Sequence, residues 1–195
     1  MAGFSDLQLQ TARLRLRPLR PDDAATLYTI HADPAVMRYW STPPWAAVDE
    51  AHRMIEGDIA AMAAGRNIRL GLERCDDAAL VGHCTLFKLE PGCRRAEVGY
   101  ALARSAWRQG LMHEALTALL DHGFGTLDLN RVEADIDPRN VPSGRVLERL
   151  GFSREGLMRE RWIVDGEVSD TAFYGLIRRE WAARRAARPT TQEAR

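Results

Sequence analysis

The fold is decided by Glu97-Val98-Gly99-Tyr100-Ala101-Leu102-Ala103-Arg104-Ser105-Ala106-Trp107-Arg108-Gln109-Gly110-Leu111-Met112-His113-Glu114-Ala115. An extended apolar run ends in a short polar turn, and Gly110 then sits in the first turn of a strongly helical segment. A strand that feeds a helix through a tight loop makes an anion site. The first backbone N–H groups of the helix have no intrahelical partner, and its dipole favours negative charge there. Gly110 has no Cβ to hold a ligand away from the backbone.

On the amino-terminal side, Leu14-Arg15-Leu16-Arg17-Pro18-Leu19 alternates apolar and basic residues, the pattern of a half-buried strand. Pro21-Asp22-Asp23 opens a helix to about Ala32, and Asp33-Pro34 starts another turn. The aromatic cluster Tyr39, Trp40 and Trp45 surrounds Thr42-Pro43-Pro44. Val48, Ala51, Ile55, Ile59 and Met62 recur at helical spacing, which predicts an amphipathic helix ended by Gly65. Runs at Ile68–Leu72, Leu80–Leu89 and Ala96–Ala103, separated by turn residues, predict an antiparallel meander.

The helix of the opening stretch is predicted from Trp107 to about Gly123. Beyond it, Arg131–Ile136 alternates as a strand, and a short helix follows Asn140 and stops at Gly151. Phe152–Arg161 and Val168–Ile177 form a hairpin across Asp165-Gly166. The tail from Arg178, with six arginines against two glutamates, reads as a solvated helix that frays at Pro189. The Ala96 and Arg131 strands, joined through a helix, should lie parallel by a right-handed crossover. The expectation is one domain over residues 1–195, with a core at about 10–182 and a basic tail at 183–195. The fold class is α/β (α+β), a mixed and mostly antiparallel twisted sheet flanked by helices.

Equal numbers of basic and acidic residues, 27 each, argue against nucleic acid as the partner. No run approaches the apolar length of a membrane span, so no membrane partner and a cytoplasmic setting are expected. Cys75, Cys84 and Cys93 fit neither a zinc knuckle nor a disulfide framework, and Cys84 reads as a core residue. His31, His52, His83, His113 and His122 show no metal-ligand spacing, and no metal is expected.

Trp107 to Ala115, followed by Asn140-Val141-Pro142-Ser143 and Leu150-Gly151-Phe152, resembles the GNAT acyl-CoA N-acyltransferase superfamily. More narrowly, the resemblance is to its ribosomal-protein N-terminal acetyltransferases. Arg13 to Leu19, Asp33 to Arg38, and Asp165-Gly166…Asp170…Tyr174…Glu180-Trp181 match that branch in order. The resemblance implies the GNAT fold, with the parallel strand pair splayed to admit acetyl-CoA as acyl donor. It places the pyrophosphate on Arg108, Gln109, Gly110, Leu111, Met112 and His113. The pantetheine arm would run along the Ala96–Ala103 strand toward Leu102, Ala103 and Arg104, with a backbone N–H near Leu102 holding the thioester carbonyl. Met112 and Arg108 stand where the family usually has smaller residues: Met112 either crowds the phosphates or points into the core, and Arg108 adds a phosphate contact.

By the same resemblance, Glu97 is the candidate general base; the alternative is an ion pair with Arg94, Arg95 or another cross-strand arginine. Ser143 is the candidate acid for the departing thiolate, or else a first-turn serine satisfying a helix N–H. Asn140 contacts pantetheine, caps its helix, or does both. Tyr39, Trp40 and Trp45 line the acceptor side, or pack as a satellite cluster. The acceptor must be a neutral amine. A free α-amine near pKa ~7.8 is roughly a tenth neutral at pH 7, whereas lysine near ~10.4 is neutral about one time in 2,500. A weak or water-mediated base therefore suffices for a protein N-terminus. Three functions remain open: acetylation of a protein N-terminal α-amine, acetylation of a small amine (polyamine, amino acid or aminoglycoside-like), and a non-catalytic acyl-CoA-binding module. The protein is expected as monomer or homodimer.

Overall fold

The computed structural model describes residues 3–187. One mixed sheet runs in the order β1-β2-β3-β4-β5-β6-β8-β7. Its strands are β1 (Leu9–Gln10), β2 (Leu14–Pro18), β3 (Ile68–Arg74), β4 (Leu80–Glu90), β5 (Arg95–Leu102), β6 (Arg131–Ile136), β7 (Ser153–Val164) and β8 (Glu167–Ile177). The helices are α1 (Ala24–His31), the single turn α2 (Pro34–Met37), α3 (Asp49–Ala63), α4 (Leu111–Gly125), α5 (Val141–Leu150) and α6 (Arg178–Ala186). β3, β4 and β5 form the expected meander, β2 pairs antiparallel with β3 at its edge, and the two-residue β1 is an element the periodicity does not show. The β7–β8 hairpin turns on Asp165 and Gly166, both at positive φ (48° and 81°), the geometry that two-residue hairpin loops require. Among the described residues, no helix is long and apolar enough to cross a membrane.

One strand pair is parallel. β5 and β6 pair at Arg95↔Arg131, Ala96↔Val132 and Glu97↔Glu133, and the register then ends although both strands continue. Past Glu97 the sheet is therefore split.

Each face of the sheet is covered differently. Leu16, Leu70, Cys84, Leu86, Ala96, Val98, Val132 and Ala134 pack with α4 and α5 in the main core, and Cys84 is fully buried as expected. On α4 the buried stripe includes Met112 and Leu116 as well as Leu111, Ala115 and Leu119. Met112 is only 6% exposed and belongs to that core, so it does not crowd an anion at the helix start. A smaller cluster, Leu19, Ala24, Leu27, Ala51 and Ile55, joins α1 and α3.

Three sequence expectations are corrected. α4 begins at Leu111 rather than Trp107, because Arg108 and Gly110 hold left-handed φ of 62° and 76° and no α-helix passes through such residues. α6 is not simply solvated: Trp181 is buried, stacks on Phe124 with centroids 6.1 Å apart, and donates its indole N–H to Asp121 at 3.1 Å. The expected fraying point, Pro189, lies outside the described residues. Arg17 is buried at 4% exposure, where the alternating pattern read as a half-solvated strand.

Candidate active site

The splay supplies a slot edged by backbone. Ala103 donates its N–H to Val81 on β4 at 2.8 Å. Strand alternation then aims the N–H and C=O of Leu102, and of Tyr100 two residues earlier, toward the side that β6 has left. The Leu102 carbonyl is taken by the Trp107 indole N–H at 2.8 Å, and its N–H faces the slot.

At the outer end of the slot lies the loop 104–110. Gly110 is the N-cap of α4 and offers no side-chain cap, which leaves the first-turn N–H groups of Leu111, Met112 and His113 directed outward. Arg104, Arg108 and Gln109 are exposed around them. The positive φ of Arg108 is the backbone state in which glycine is free of strain, which accounts for the smaller residue that the resemblance leads one to expect there. The loop is anchored from the far edge of the sheet. Arg13 donates to the Gln109 carbonyl at 2.9 Å and to Glu114 at 2.7 Å, and Thr11 donates to Glu114 at 2.6 Å. Beside His113 and Thr117 opens a cavity of about 260 Å³ walled by Arg149, Arg184 and Arg185. Arg13 and Arg185 are paired with Glu114 and Asp121, while Arg104, Arg108, Arg149 and Arg184 make no ion pair among the described residues.

At its inner end the slot meets α5. The Asn140 side-chain oxygen accepts from the Ser143 N–H at 3.2 Å, so Asn140 is a helix cap; its Nδ2 makes no hydrogen bond among the described residues. The Ser143 hydroxyl lies 2.7 Å from the phenol oxygen of Tyr100. Burial pushes the Tyr100 phenol well above the usual tyrosine range, against a smaller opposing effect of the Ser143 bond. Gly144 lets this turn sit tightly on β8, since a Cβ there would stand 3.3 Å from the Tyr174 hydroxyl.

The opposite face of the sheet carries Glu97. Lys88 donates to both of its carboxylate oxygens at 2.9 Å. The sequence pointed to an arginine as cross-strand partner; the partner is the chain's only lysine. A bulge between Phe87 and Glu90, with Lys88 at φ 49°, re-aims the lysine onto Glu97's face. On the same face, His83 and His31 share a hydrogen bond of 2.9 Å between their Nε2 atoms. His31 is stacked on Trp45 (4.2 Å) and meets Trp40 edge-on (5.3 Å). The Tyr39 ring has the guanidinium groups of Arg38 (5.4 Å) and Arg139 (5.9 Å) over it.

Tyr39, Trp40 and Trp45 are thus brought to the face that Glu97 occupies, while Ser143 and Asn140 lie on the other. Two contributors escape a reading by local spacing. One is Tyr100, whose alternation with Ala96 and Val98 was visible but whose neighbour on α5 was not. The other is the His31–His83 pair, 52 residues apart. Among the described residues, no group of three His, Cys, Asp or Glu is placed to hold a metal ion.

Residues 13–153 match the family described as acetyltransferase (GNAT) domain. The chain is 34% identical over 176 residues to the uncharacterized N-acetyltransferase p20 of Bacillus licheniformis, covering 89% of this chain and 98% of that one. It is 29% identical to the ribosomal protein uS5-alanine N-acetyltransferase of Escherichia coli, covering 90% and 93%. It is also 24% identical to the spermidine N(1)-acetyltransferase of the same organism, covering 87% and 89%. Among solved structures, Mycobacterium smegmatis RimJ in complex with CoA-disulfide superposes with a TM-score of 0.81 at 27% identity, covering 96% and 97%.

Proposed function

The chain belongs to the GNAT N-acetyltransferases, which use acetyl-CoA, and we propose that its acceptor is a protein N-terminal α-amine. The observation that carries this reading is the pairing of four carboxylates on the acceptor side. Glu97 is held by Lys88, Glu133 by Arg95 (2.5 Å) and Arg131 (2.7 Å), Asp137 by Arg139 (2.5 Å), and Glu167 by Arg139 (2.6 Å) and Arg38 (3.1 Å). The neighbouring cations hold the Glu133, Asp137 and Glu167 carboxyls below the usual carboxylate range; for Glu133 and Asp137 they outweigh burial, which pushes the other way. A polyamine needs uncompensated negative charge, and these groups are already neutralised. An α-amine needs none, because about a tenth of it is neutral at pH 7.

In this reading the outward N–H groups of Leu111, Met112 and His113, with Arg108 and Gln109, hold the donor's pyrophosphate. Asn140 serves pantetheine through its unused Nδ2, and the Leu102 N–H polarises the thioester carbonyl, with Ala103 and Arg104 closing that end. The cavity arginines suit a further phosphate. Tyr39, Trp40 and Trp45 receive the acceptor. Glu97, engaged by Lys88, takes the amine's proton through water. Ser143 protonates the departing thiolate. The base and the acid stand on opposite faces of the split sheet, so the amine enters from one side while sulfur leaves toward the other.

The test is thiol release from acetyl-CoA with peptides bearing free Ala or Ser termini, the same peptides N-blocked, spermidine and free amino acids. Peptides with free termini should exceed spermidine in kcat/KM by at least about tenfold, and blocked peptides should be inert; spermidine as the better acceptor would overturn the proposal. Glu97→Gln should lower the peptide rate by on the order of 10²-fold; an unchanged rate removes the base assignment. Arg13→Ala, which unpins the Gln109 carbonyl, should weaken CoA binding by about tenfold. Calorimetric titration with CoA checks this, and an unaltered Kd would mean that the anchor does not shape the loop.

A further inference from the structure

Ser143 has one proton to give and two directions in which to give it. Its Oγ lies 2.7 Å from Tyr100 Oη, and the same phenol stands 3.4 Å from the Ser143 carbonyl oxygen. If the serine donates to the phenol, it has nothing for the slot. If the phenol donates to the serine, the serine's own proton is free to point away from Tyr100. The distances favour the second arrangement. Tyr100 is embedded against the main core beside Val98 and Ala96, and of the two acceptors its phenol reaches, Ser143 Oγ at 2.7 Å is much nearer than the Ser143 carbonyl at 3.4 Å. Ser143 sits in the first turn of the ten-residue α5, capped by Asn140 and seated on β8 through Gly144, which limits how far its hydroxyl can swing.

We propose that Tyr100 is a positioning residue for the acetyl transfer: its phenol donates to Ser143 Oγ and turns the serine's proton toward the sulfur of the acyl donor. The proposal rests on the reading that acetyl-CoA occupies the β5–β6 slot. The proton balance is simple. The acceptor nitrogen forms the C–N bond with its lone pair, and the C–S bond breaks with its pair on sulfur. Sulfur takes the Ser143 proton as the serine oxygen takes one back from water, equal to the one the amine has shed, while Tyr100 keeps its own proton and its hydrogen bond to Oγ throughout. A lone serine is free to turn its proton away from sulfur. The phenol's hydrogen bond and the N-terminus of α5 both favour the charge that builds on Oγ as its proton leaves.

The test uses the full chain with CoA itself as the probe and needs no acceptor. The thiol of bound CoA is titrated by its thiolate absorbance in the unaltered protein, in Tyr100→Phe and in Ser143→Ala. A donor aimed at sulfur stabilises the thiolate, so both variants should raise the bound thiol's pKa by about one unit. Identical titrations in all three proteins, with CoA bound, overturn the proposal while leaving the donor site intact. Absence of CoA binding to the unaltered protein overturns both. Kinetics on whichever acceptor is turned over give the second arm. Each single variant should lose about tenfold in kcat with KM for acetyl-CoA within about twofold, and the double variant should be no slower than the singles. Multiplying losses would show two independent side chains and overturn the coupling. Should Tyr100→Phe fail to fold, Ser143→Ala and Ser143→Thr, which restores the hydroxyl, carry the same titration.

Discussion

Arg17→Met is expected to lose about 3–5 kcal/mol of folding stability, the cost of removing one partner from a buried charge network. Arg17 donates through Nη1 and Nη2 to the two carboxylate oxygens of Asp23 at 2.8 and 2.9 Å, and through Nε to Glu73 at 2.6 Å. All three residues are below 9% exposed. Burial pushes the Asp23 carboxyl up, but the Arg17 bonds and the Arg20 backbone N–H outweigh it, and its pKa is lowered. Methionine fills the volume, leaves Asp23 without its cation and leaves Glu73 with only the more exposed Arg15 at 3.2 Å. Urea denaturation at pH 7 checks the figure, and a loss below about 1 kcal/mol would defeat it. Because the Asp23 pKa is lower in the folded state, its contribution is present above the ordinary carboxylate range and is lost as pH falls through the depressed value. The network ties the start of α1 to β2 and β3, so the loop beyond α1 should loosen with it.

The second large effect is loss of stability on mild acidification, set by His31 and His83. Both are buried, at 2% and 0% exposure. Arg69 only donates, so its 3.2 Å bond makes His83 Nδ1 an acceptor; His83 Nε2–H then donates to His31 Nε2. Arg69 is in turn fixed by Asp58 at 2.6 Å, and no other charged group among the described residues contacts the pair. Both rings must be neutral for this chain to hold. Burial, with Arg69 adding to it, lowers His31 to about 4 and His83 well below its usual value. Between pH 6.5 and 4 the unfolded chain binds a proton at each ring and the folded chain does not, so stability falls as pH falls through that window. For His31 alone the loss is about 3 kcal/mol once pH is below 4. Urea midpoints from pH 7 to 4.5 should decline steeply, and His83→Gln should remove about one proton from the slope. A flat curve would sink the assignment. The lowered carboxyls of Asp23, Asp137 and Glu133 act only at lower pH, which keeps the windows apart.

The loop that carries Tyr39 and Trp40 is tied to this pair. Trp45 rests on His31 and donates its backbone N–H to the His31 carbonyl at 3.0 Å, so protonating the rings disturbs the loop that carries Tyr39 and Trp40. Acidification should therefore reach this loop along with the fold.

Most strands and helices were legible because their signals are local. Alternation marked β2 and β6, a 3.6-residue stripe marked α3, and Asp165-Gly166 marked the last hairpin. The expectation of an anion site at the β5–α4 junction also came from residues within one short segment, since unsatisfied N–H groups at a helix start need no distant partner. The helix boundary at Trp107 misled because helical propensity does not reveal that Arg108 adopts a left-handed φ.

What the sequence by itself determined is the order of elements, the parallel crossover, the glycine at the helix start and the family that these motifs resemble. Only the tertiary structure decided who stands beside whom. Tyr100 meets Ser143 across 43 residues, Lys88 reaches Glu97 through a bulge, His31 meets His83, and Arg17 is buried between Asp23 and Glu73. The reason is physical. Periodicity reports which face of an element is apolar, but the partner of a buried polar group is chosen by which elements close over that face, and that choice is made between segments far apart in the chain.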